Sequence, residues 1–351
     1  METPNKFAIP KGSTVLIVGA NGFIASHIVN QFLHFGFKVR GTVRDPSKNA
    51  WLSALFDKKY GIGNFELIAA PNLMLEGALN EAVKGTSAVV HVASLVSFDP
   101  DPNKVIPPAL KLVTNALQSA YREPSVKRFV LTSSSTTTIP CKMEGNLEGR
   151  VITSDTWSED AVDLAMAPPP YTADRSAAVY AASKIMQERR LWSFFEEEKD
   201  KRPDMVVNTV LPAMSFGRSL DPINQGHASS SRIIENLWRG LPIPAPFLPP
   251  RMFSDVEDVA VLHVAATILP SVNGERICCF AETFNWNRVL AILRKQNPDH
   301  KFPEDFEGNE CRHQILTRQR AEEVLKIMGR KGLTSLEESI RLNTEDLCQT
   351  A

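Results

Sequence analysis

A tyrosine and a lysine four residues apart stand near the middle of the chain, in the stretch VYAASK that contains Tyr180 and Lys184. The surrounding sequence predicts a helix, on which this spacing places both side chains on one face, one turn apart. A nearby cation favours the phenolate and so lowers the pKa of a tyrosine. Tyr180 would then donate a proton to a carbonyl oxygen as a general acid. Because such pairs also occur on solvated helices, this interpretation needs support from elsewhere in the chain.

Hydroxyl groups follow a predicted strand, since RFVLT runs into the serines at 133–135. The carboxyl end of a strand is where open α/β sheets bind their ligands. One of these hydroxyls is therefore expected to orient the carbonyl beside Tyr180.

A glycine-containing turn, GANGFIA (Gly19–Ala25), lies between the first predicted strand and the first predicted helix. The first glycine permits a tight turn, the second lets the backbone approach a pyrophosphate, and the helix offers free N–H groups to the anion. Ala25 stands where a third glycine is common, and it is small enough for helix–sheet packing. In this context the turn predicts a dinucleotide site. Its expected contacts are Gly19, Asn21, Gly22, Phe23 and Ile24.

The residues after the second predicted strand decide between the two nicotinamide dinucleotides. An acidic residue there accepts hydrogen bonds from the ribose of NAD, and Asp45 is available for that role. Arg44 stands at the strand tip, with Lys48 one turn further on, and a guanidinium pairs with a 2′-phosphate through charge-assisted hydrogen bonds. The pattern favours NADP, with Arg44 and Lys48 as cofactor-binding cations. A merely solvated Arg44 is the alternative.

Strands and helices alternate along the chain, which predicts a parallel sheet covered on both faces. The predicted strands are TVLIV, FKVRGTV, FELIA, AVVHVA, RFVLT, MVVNTVL and, later, RICCF. The part of VIPPALKLVTNALQSAYRE that follows its two prolines predicts an amphipathic helix. The fold class is therefore α/β, a doubly wound parallel sheet. Residues 1–210 are expected to form the NADP-binding core, and 211–351 mostly a smaller substrate lobe with some segments returning to the core.

Composition excludes several classes of function. The 351 residues include 39 basic and 40 acidic ones, a net charge of −1, so nothing attracts nucleic acid or an anionic membrane. The five cysteines contain no CxxC pair and suggest neither a metal site nor a disulfide framework. The amino terminus lacks the pattern of a secretory signal, and no apolar run is long enough to span a bilayer. We therefore expect a cytoplasmic protein.

The chain resembles the extended short-chain dehydrogenases/reductases, through the Gly19-x-x-Gly22-x-x-Ala25 turn, the serine after the fifth strand and Tyr180-x-x-x-Lys184. It is most similar to the fungal NADPH-dependent aldehyde (carbonyl) reductases, relatives of the plant dihydroflavonol reductases. GANGFIASHIV, KVRGTVR, SVKRFVLTSS, VYAASK and LEESI carry the likeness over nearly the whole chain. The resemblance implies a Rossmann-type sheet with a smaller carboxyl-terminal substrate lobe. It also implies NADPH-dependent reduction of aldehydes or ketones to alcohols.

The same resemblance assigns the catalytic roles. Ser134 would be the catalytic serine, with Ser133 as a close competitor. Tyr180 would be the proton donor and Lys184 its partner, and both would also contact the cofactor, with Lys184 holding the ribose hydroxyls.

Further cofactor contacts are implied for Arg44 at the 2′-phosphate, Ala93 near the adenosine ribose and Pro212 against the nicotinamide. One departure concerns the segment after the third strand, where the family usually has an acidic residue facing the adenine. This chain has Asn72 followed by Leu73. The carbonyl oxygen of Asn72 can still accept that hydrogen bond.

Other conspicuous residues have plainer interpretations. His91 and His263 stand in apolar stretches and are expected to be core histidines with satisfied hydrogen bonds, while Asp258 is expected to be structural. Phe98 would either line a substrate pocket or simply pack.

Aromatic and apolar residues of the proline-rich region around GLPIPAPFLPP (Gly240–Pro250) suggest a hydrophobic carbonyl substrate. The candidates are Trp238, Phe247 and Met252.

Two other functions stay open. A steroid or nucleotide-sugar dehydrogenase or epimerase would use the same scaffold, although the segment LPIPAPFLPP offers no cation for a second diphosphate. A non-catalytic NADP-sensing regulator would have no need of the serine, tyrosine and lysine together. The chain is expected to act as a monomer or a homodimer.

Overall fold

Short apolar runs, rich in β-branched residues, form the strands of a central sheet. The computed structural model describes residues 7–139, 149–244, 247–249, 251–307 and 312–349. Within these residues the strands are β1 (Thr14–Val18), β2 (Lys38–Val43), β3 (Phe65–Ala69), β4 (Ala88–His91), β5 (Arg128–Thr132), β6 (Val151–Ile152), β7 (Val206–Pro212), β8 (Met214–Phe216), β9 (Arg251–Asp255), β10 (Arg276–Cys279), β11 (Glu282–Phe284) and β12 (Gln314–Ile315). The helices are α1 (Phe23–His34), α2 (Ala50–Tyr60), α3 (Asn80–Val83), α4 (Pro102–Arg122), α5 (Glu159–Met166), α6 (Ser176–Glu198), α7 (Ser231–Trp238), α8 (Val256–Ile268), α9 (Trp286–Gln296), α10 (Arg318–Ile327) and α11 (Leu336–Asn343).

The main sheet has seven strands in the order β10-β7-β5-β4-β1-β2-β3, and every neighbouring pair runs parallel. The chain builds outward from β1 to β3, then returns to the other side of β1 and builds outward again from β4. Strand order therefore reverses between β1 and β4, and this switch point is where doubly wound sheets bind ligands. The predicted α/β, doubly wound parallel sheet is confirmed.

Both faces of this sheet are buried, because alternate side chains of each strand point to opposite sides. In β1, Val15 and Ile17 join an apolar cluster with α1 and α8, whereas Leu16 and Val18 join a second cluster with α4 and α6. The sequence of a strand that is covered on both faces is a continuous run of apolar residues. This explains why TVLIV was recognisable as a strand from its composition alone.

A smaller lobe forms around a sheet in the order β11-β9-β8, where β9 pairs antiparallel with β11 and parallel with β8. Its core includes Phe216, Phe253 and Trp286. By contrast, α8, β10 and α10 contribute buried residues to the core of the main sheet. The predicted boundary at residue 210 falls within β7, which continues to Pro212.

One helix differs from the predicted extent. α4 begins at Pro102, ahead of Pro107 and Pro108, and Asp101 caps it by accepting a hydrogen bond from the Asn103 N–H. A proline inside a helix removes a backbone hydrogen bond but has a helical φ. The packing of α4 against α6 offsets this loss, since tertiary contacts supply most of the stability of a helix in a protein.

Several expectations concern segments that the structure describes only in part. Among the described residues no helix is both long and apolar enough to cross a membrane.

Cys278 and Cys279 are buried free thiols and Cys348 is an exposed one. Outside the described residues lie Cys141, Cys311, the first six residues, and positions 245, 246 and 250 of the proline-rich segment. The predicted cytoplasmic location and the monomer or homodimer stay predictions.

Asp258 joins α8 to the segment before α11. Its side chain is fully buried, accepts a hydrogen bond from the Thr334 N–H (2.6 Å) and pairs with the Arg330 guanidinium (2.9 Å). These contacts agree with the structural role expected for this residue.

We predict that Asp258→Ala lowers the free energy of unfolding by about 3–5 kcal/mol, because it leaves the Thr334 N–H without its partner and removes the nearer of two carboxylates from a partly buried guanidinium. Urea denaturation measures the change. Glu257→Ala is the matched control, since Glu257 contacts the same Arg330 at 3.4 Å but is 28% exposed, and it should cost about 1 kcal/mol or less. Equal losses in the two variants would contradict the prediction.

Candidate active site

A cleft of about 960 Å³ opens at the carboxyl ends of the parallel strands, next to the smaller lobe. Its walls include the turns after β1, β2, β3, β4 and β5, the end of β7 and part of α6. The predicted site residues that line it are Gly19, Asn21, Gly22, Phe23, Ile24, Arg44, Asn72, Leu73, Ala93, Phe98, Ser134, Tyr180, Lys184, Pro212 and Phe247. The fold therefore gathers residues that are far apart in the sequence at the topological switch point.

The glycine turn has the geometry that an anion requires. Gly19 has a φ of +86°, and a Cβ atom there would lie only 3.0 Å from the Cβ of Ala93. Gly22 then precedes the first turn of α1, in which no acidic residue is present. The free N–H groups and the positive dipole end of α1 thus face the cleft without a competing carboxylate, which fits the diphosphate of a dinucleotide.

The groups after β2 point in different directions. Arg44 lines the cleft, whereas the carboxylate of Asp45 accepts hydrogen bonds from the Ser47 hydroxyl (2.6 Å) and the Ser47 N–H (3.0 Å). These bonds hold the pKa of Asp45 below its ordinary value and turn the carboxylate into its own local turn. Lys48 is 82% exposed, lies 3.9 Å from Asp45, and is not among the residues lining the cleft. Arg44 is therefore the better placed of the two predicted cations.

Asn72 and Leu73 line the same end of the cleft. The side-chain oxygen of Asn72 accepts a hydrogen bond from the Met74 N–H (3.0 Å), which fixes the amide in the turn after β3. A carbonyl oxygen has a second lone pair, so it can accept one further hydrogen bond.

Ser134, Tyr180 and Lys184 meet in the floor of the cleft. The Ser134 hydroxyl lies beside the Tyr180 hydroxyl and lowers its pKa, and the Ser134 oxygen accepts hydrogen bonds from the Thr136 N–H (3.2 Å) and the Thr136 hydroxyl (3.0 Å). The Lys184 ammonium donates to the carbonyl oxygen of Thr132 at 3.1 Å. The three predicted catalytic residues are thus brought together by the end of β5 and one face of α6.

Burial raises the pKa of Tyr180, while the hydrogen bond to Ser134 and the charge of Arg251 act in the opposite direction. Burial lowers the pKa of Lys184 to about 8, opposed by the charge of Glu188. The prediction that the neighbouring lysine lowers the pKa of Tyr180 is wrong here, because burial raises this pKa and the Lys184 ammonium is turned toward Thr132. Tyr180 consequently rests in its protonated form at neutral pH.

The structure separates the roles of the adjacent serines. The Ser133 hydroxyl donates to a carboxylate oxygen of Glu188 at 2.6 Å, in the buried interior. The Ser134 hydroxyl faces Tyr180. Both serines line the cleft, but the Ser133 hydroxyl is engaged with Glu188, which leaves the Ser134 hydroxyl beside Tyr180.

Aromatic side chains form the wall beside Tyr180. Phe98 lies 5.3 Å from the Tyr180 ring and 5.3 Å from the Phe247 ring, measured between centroids. The Arg251 guanidinium lies 5.8 Å from the Phe247 ring. Met252, a weak sequence candidate, also lines the cleft. Sequence reasoning missed Arg251, and its only signal was a cation directly after the proline-rich segment.

Trp238 is not part of this wall. Its ring stacks on His300 with centroids 4.1 Å apart and packs against Phe302. The substrate contact predicted for Trp238 therefore has no counterpart in the cleft, because its position near the end of α7 directs the indole to another part of the lobe.

The two core histidines differ. His263 is buried, accepts from the Thr132 hydroxyl (2.8 Å) and donates to the Val259 carbonyl (2.8 Å), and burial lowers its pKa to about 4. His91 is also buried, and desolvation lowers its pKa to about 3. Among the described residues, however, its Nδ1 atom has no hydrogen-bond partner. The prediction of satisfied hydrogen bonds thus holds for His263 and is wrong for the Nδ1 of His91.

The doubly wound sheet, the glycine turn and the serine, tyrosine and lysine at the strand ends together have the arrangement of an extended short-chain dehydrogenase/reductase. The sequence model of the NAD dependent epimerase/dehydratase family matches residues 15–276. Aldehyde reductase 2 of Sporidiobolus salmonicolor is 39% identical over 334 residues, which cover 95% of each chain. The ketoreductase nvfG of Aspergillus novofumigatus is 35% identical over 342 residues, 96% of this chain and 97% of that one.

A solved structure agrees at the level of the fold. Yeast methylglyoxal/isovaleraldehyde reductase Gre2, complexed with NADPH, superimposes with a TM-score of 0.79 at 24% identity and covers 96% of this chain and 98% of its own. The chain therefore belongs to the NAD dependent epimerase/dehydratase family. It is an oxidoreductase, similar to the family's aldehyde reductases and ketoreductases.

We predict that Gly19→Ala destabilises the protein by roughly 2–4 kcal/mol, because an alanine is strained at this φ and its Cβ would press on Ala93. Thermal and urea unfolding measure the loss. Gly12→Ala is the matched control, since Gly12 has a φ of +79° but nothing within 4 Å of an added Cβ, and it should cost about 1–2 kcal/mol. If the two variants lose the same stability, the close approach to Ala93 is not a constraint.

Proposed function

We propose that this protein is an NADPH-dependent carbonyl reductase that converts aldehydes or ketones to alcohols. The observation that carries the proposal is the meeting of the Ser134 and Tyr180 hydroxyls beside Lys184, in a cleft that begins at a glycine turn. Bound NADPH would supply the hydride that reduces the carbonyl carbon. The remaining chemistry, which is to hold the carbonyl and protonate its oxygen, falls to residues of this chain.

Ser134 and Tyr180 divide the work on the substrate oxygen. The Ser134 hydroxyl donates a hydrogen bond that orients the carbonyl and polarises it. Tyr180, whose raised pKa keeps its hydroxyl protonated, transfers that proton to the oxygen as negative charge develops. The carbonyl thus gains one hydride on carbon and one proton on oxygen, and the alcohol is released. Lys184 would hold the cofactor ribose and stabilise the tyrosinate until a proton from solvent restores Tyr180.

The preference for NADPH rests on Arg44. Arg44 lines the cleft after β2, while the carboxylate of Asp45, the group that would suit NAD, is engaged in its own turn. An arginine in that position matches a 2′-phosphate in charge and geometry. The NADPH in the Gre2 structure supports this choice by analogy of fold. Gly19, Asn21, Gly22, Phe23 and Ile24 would hold the diphosphate, and Asn72, Leu73, Ala93 and Pro212 would hold the rest of the cofactor.

The substrate is proposed to be a hydrophobic carbonyl compound. Phe98 and Phe247 form an aromatic wall next to Tyr180, and Met252 extends it. Burial of an apolar substrate against such a wall is favourable by roughly 25 cal/mol per Å². The names of the similar enzymes, an aldehyde reductase and a ketoreductase, support both carbonyl classes.

A sugar-nucleotide epimerase is the second candidate, because Arg232 and Arg251 line the cleft. These cations supply what the segment LPIPAPFLPP lacks, positive charge for a second diphosphate. The aromatic wall favours the carbonyl reductase. Oxidation of NADPH with benzaldehyde and an aryl ketoester, compared with interconversion of a UDP-hexose, separates the two functions. A regulator that only senses NADP would bind the cofactor and turn over neither.

We predict that Tyr180→Phe lowers kcat/KM for benzaldehyde by about 10²–10⁴-fold, since the proton donor is lost. NADPH affinity, measured by quenching of tryptophan fluorescence, should change little. Tyr121→Phe is the control, because Tyr121 packs against Phe194 away from the cleft, and it should keep wild-type activity. Undiminished alcohol formation by the Tyr180 variant would refute the mechanism.

We also predict that Arg44→Gln raises the Kd for NADPH about tenfold or more, because a charge-assisted hydrogen bond to the phosphate is lost. The Kd for NADH, which lacks that phosphate, should stay nearly the same. Lys48→Gln is the paired variant and should have a small effect, given its exposure of 82%. An equal loss of NADPH and NADH affinity in the Arg44 variant would mean that the arginine does not bind the 2′-phosphate.

A further inference from the structure

Glu188 is a buried carboxylate for which the mechanism above gives no role. It stands one turn after Lys184 on α6, with a side chain that is 0% exposed. The carboxylate accepts hydrogen bonds from the Ser133 hydroxyl (2.6 Å), the Thr209 hydroxyl (3.0 Å) and the Arg276 guanidinium (2.7 Å). Burial of a charge in this way is costly unless every oxygen has a partner, and here the partners come from β7, β10 and the end of β5.

The contact with Ser133 fixes the segment that carries Ser134. Lys184 donates to the carbonyl of Thr132, and the next residue, Ser133, donates to Glu188. The Ser133 N–H also pairs with the carbonyl of Val210 in β7, at 2.8 Å. Two successive residues at the end of β5 are thus tied to α6. The backbone alternates sides beyond β5, so holding Ser133 inward directs the Ser134 side chain to the cleft.

Glu188 is also the carboxylate whose negative charge acts on Lys184. The other ionisable groups around the ammonium are Tyr180 on the same helix, protonated at rest, and His91 of β4, which is neutral because burial lowers its pKa to about 3. Arg276, from β10, reaches Glu188 and stacks on the Trp157 ring at 3.9 Å. Within the described part of the chain, Glu188 therefore provides the negative charge that partly offsets the desolvation of the Lys184 ammonium.

We propose that Glu188 is a positioning residue of the active site, which directs Ser134 toward the substrate through Ser133 and supplies the negative charge beside Lys184. The inference rests on the proposed function, in which Ser134 and Lys184 serve the reduction. A purely structural ion pair between Glu188 and Arg276 is the competing explanation.

The decisive variant is the charge-neutral pair Glu188→Gln with Arg276→Met. Glu188→Gln alone keeps the size and one acceptor but leaves Arg276 buried without a counterion, which destabilises the fold. The double variant removes both charges, so the free energy of unfolding should recover relative to the single one. The alkaline limb of the pH profile of kcat/KM should nevertheless stay shifted to lower pH by about one unit or more, because Lys184 still lacks its neighbouring carboxylate.

Thr209→Val is the matched control. It removes one hydrogen bond to Glu188 and keeps the carboxylate charge, so it should lower stability and leave the alkaline limb where the wild type has it.

Unfolding provides a measurement that does not depend on turnover. A lysine whose folded pKa lies near 8, below its ordinary 10.5, binds fewer protons in the folded state. The free energy of unfolding contributed by Lys184 therefore rises with pH between these values. In the double variant this rise should begin at lower pH than in Thr209→Val.

The outcomes distinguish the hypotheses. The positioning role is supported if, in the double variant, both the alkaline limb of kcat/KM and the rise in the free energy of unfolding move to lower pH. Thr209→Val should keep the wild-type behaviour in both measurements. If the double variant recovers both stability and the wild-type pH profile, Glu188 is only a structural partner and the proposal is overturned. Failure of the proposed function itself is recognised separately, by full activity of Tyr180→Phe at a single pH.

Discussion

The contact between one face of α6 and the end of β5 is the constraint on which the rest of the site depends. Tyr180, Lys184 and Glu188 follow one another at helical spacing, so a single helix face carries a proton donor, a cation and a carboxylate. Two of them bond to consecutive residues at the strand end, Lys184 to the Thr132 carbonyl and Glu188 to the Ser133 hydroxyl. These two attachments hold the strand end that carries Ser134, whose hydroxyl oxygen also accepts hydrogen bonds from Thr136.

Burial sets the electrostatics of this contact. Desolvation raises the pKa of Tyr180 and lowers that of Lys184, which favours the neutral form of each. Such a pairing suits a step in which a phenol gives up its proton to a substrate oxygen, because the resting state keeps that proton. Two neighbouring charges oppose these shifts in pKa. Arg251 lowers the pKa of Tyr180, and Glu188 raises that of Lys184.

Much of the fold was predictable because its strands are buried on both faces. TVLIV, FELIA and RFVLT form strands with the predicted bounds. The main difference, the early start of α4, arose because two prolines read as a helix boundary, whereas packing against α6 maintains the helix through them. Local propensity cannot report such a compensation. For the same reason Trp238 looked like a pocket residue, although its partners His300 and Phe302 are distant in sequence.

The sequence by itself determined the individual strands, the glycine turn and the helix spacing of Tyr180 and Lys184, since these depend on residues that are close along the chain. Tertiary structure decided which of two adjacent serines has its hydroxyl bonded in the interior, and that Glu188 and Arg251 lie beside the reacting groups. Those properties depend on burial and on contacts between separate strands and helices. Neither is encoded in any short stretch of residues.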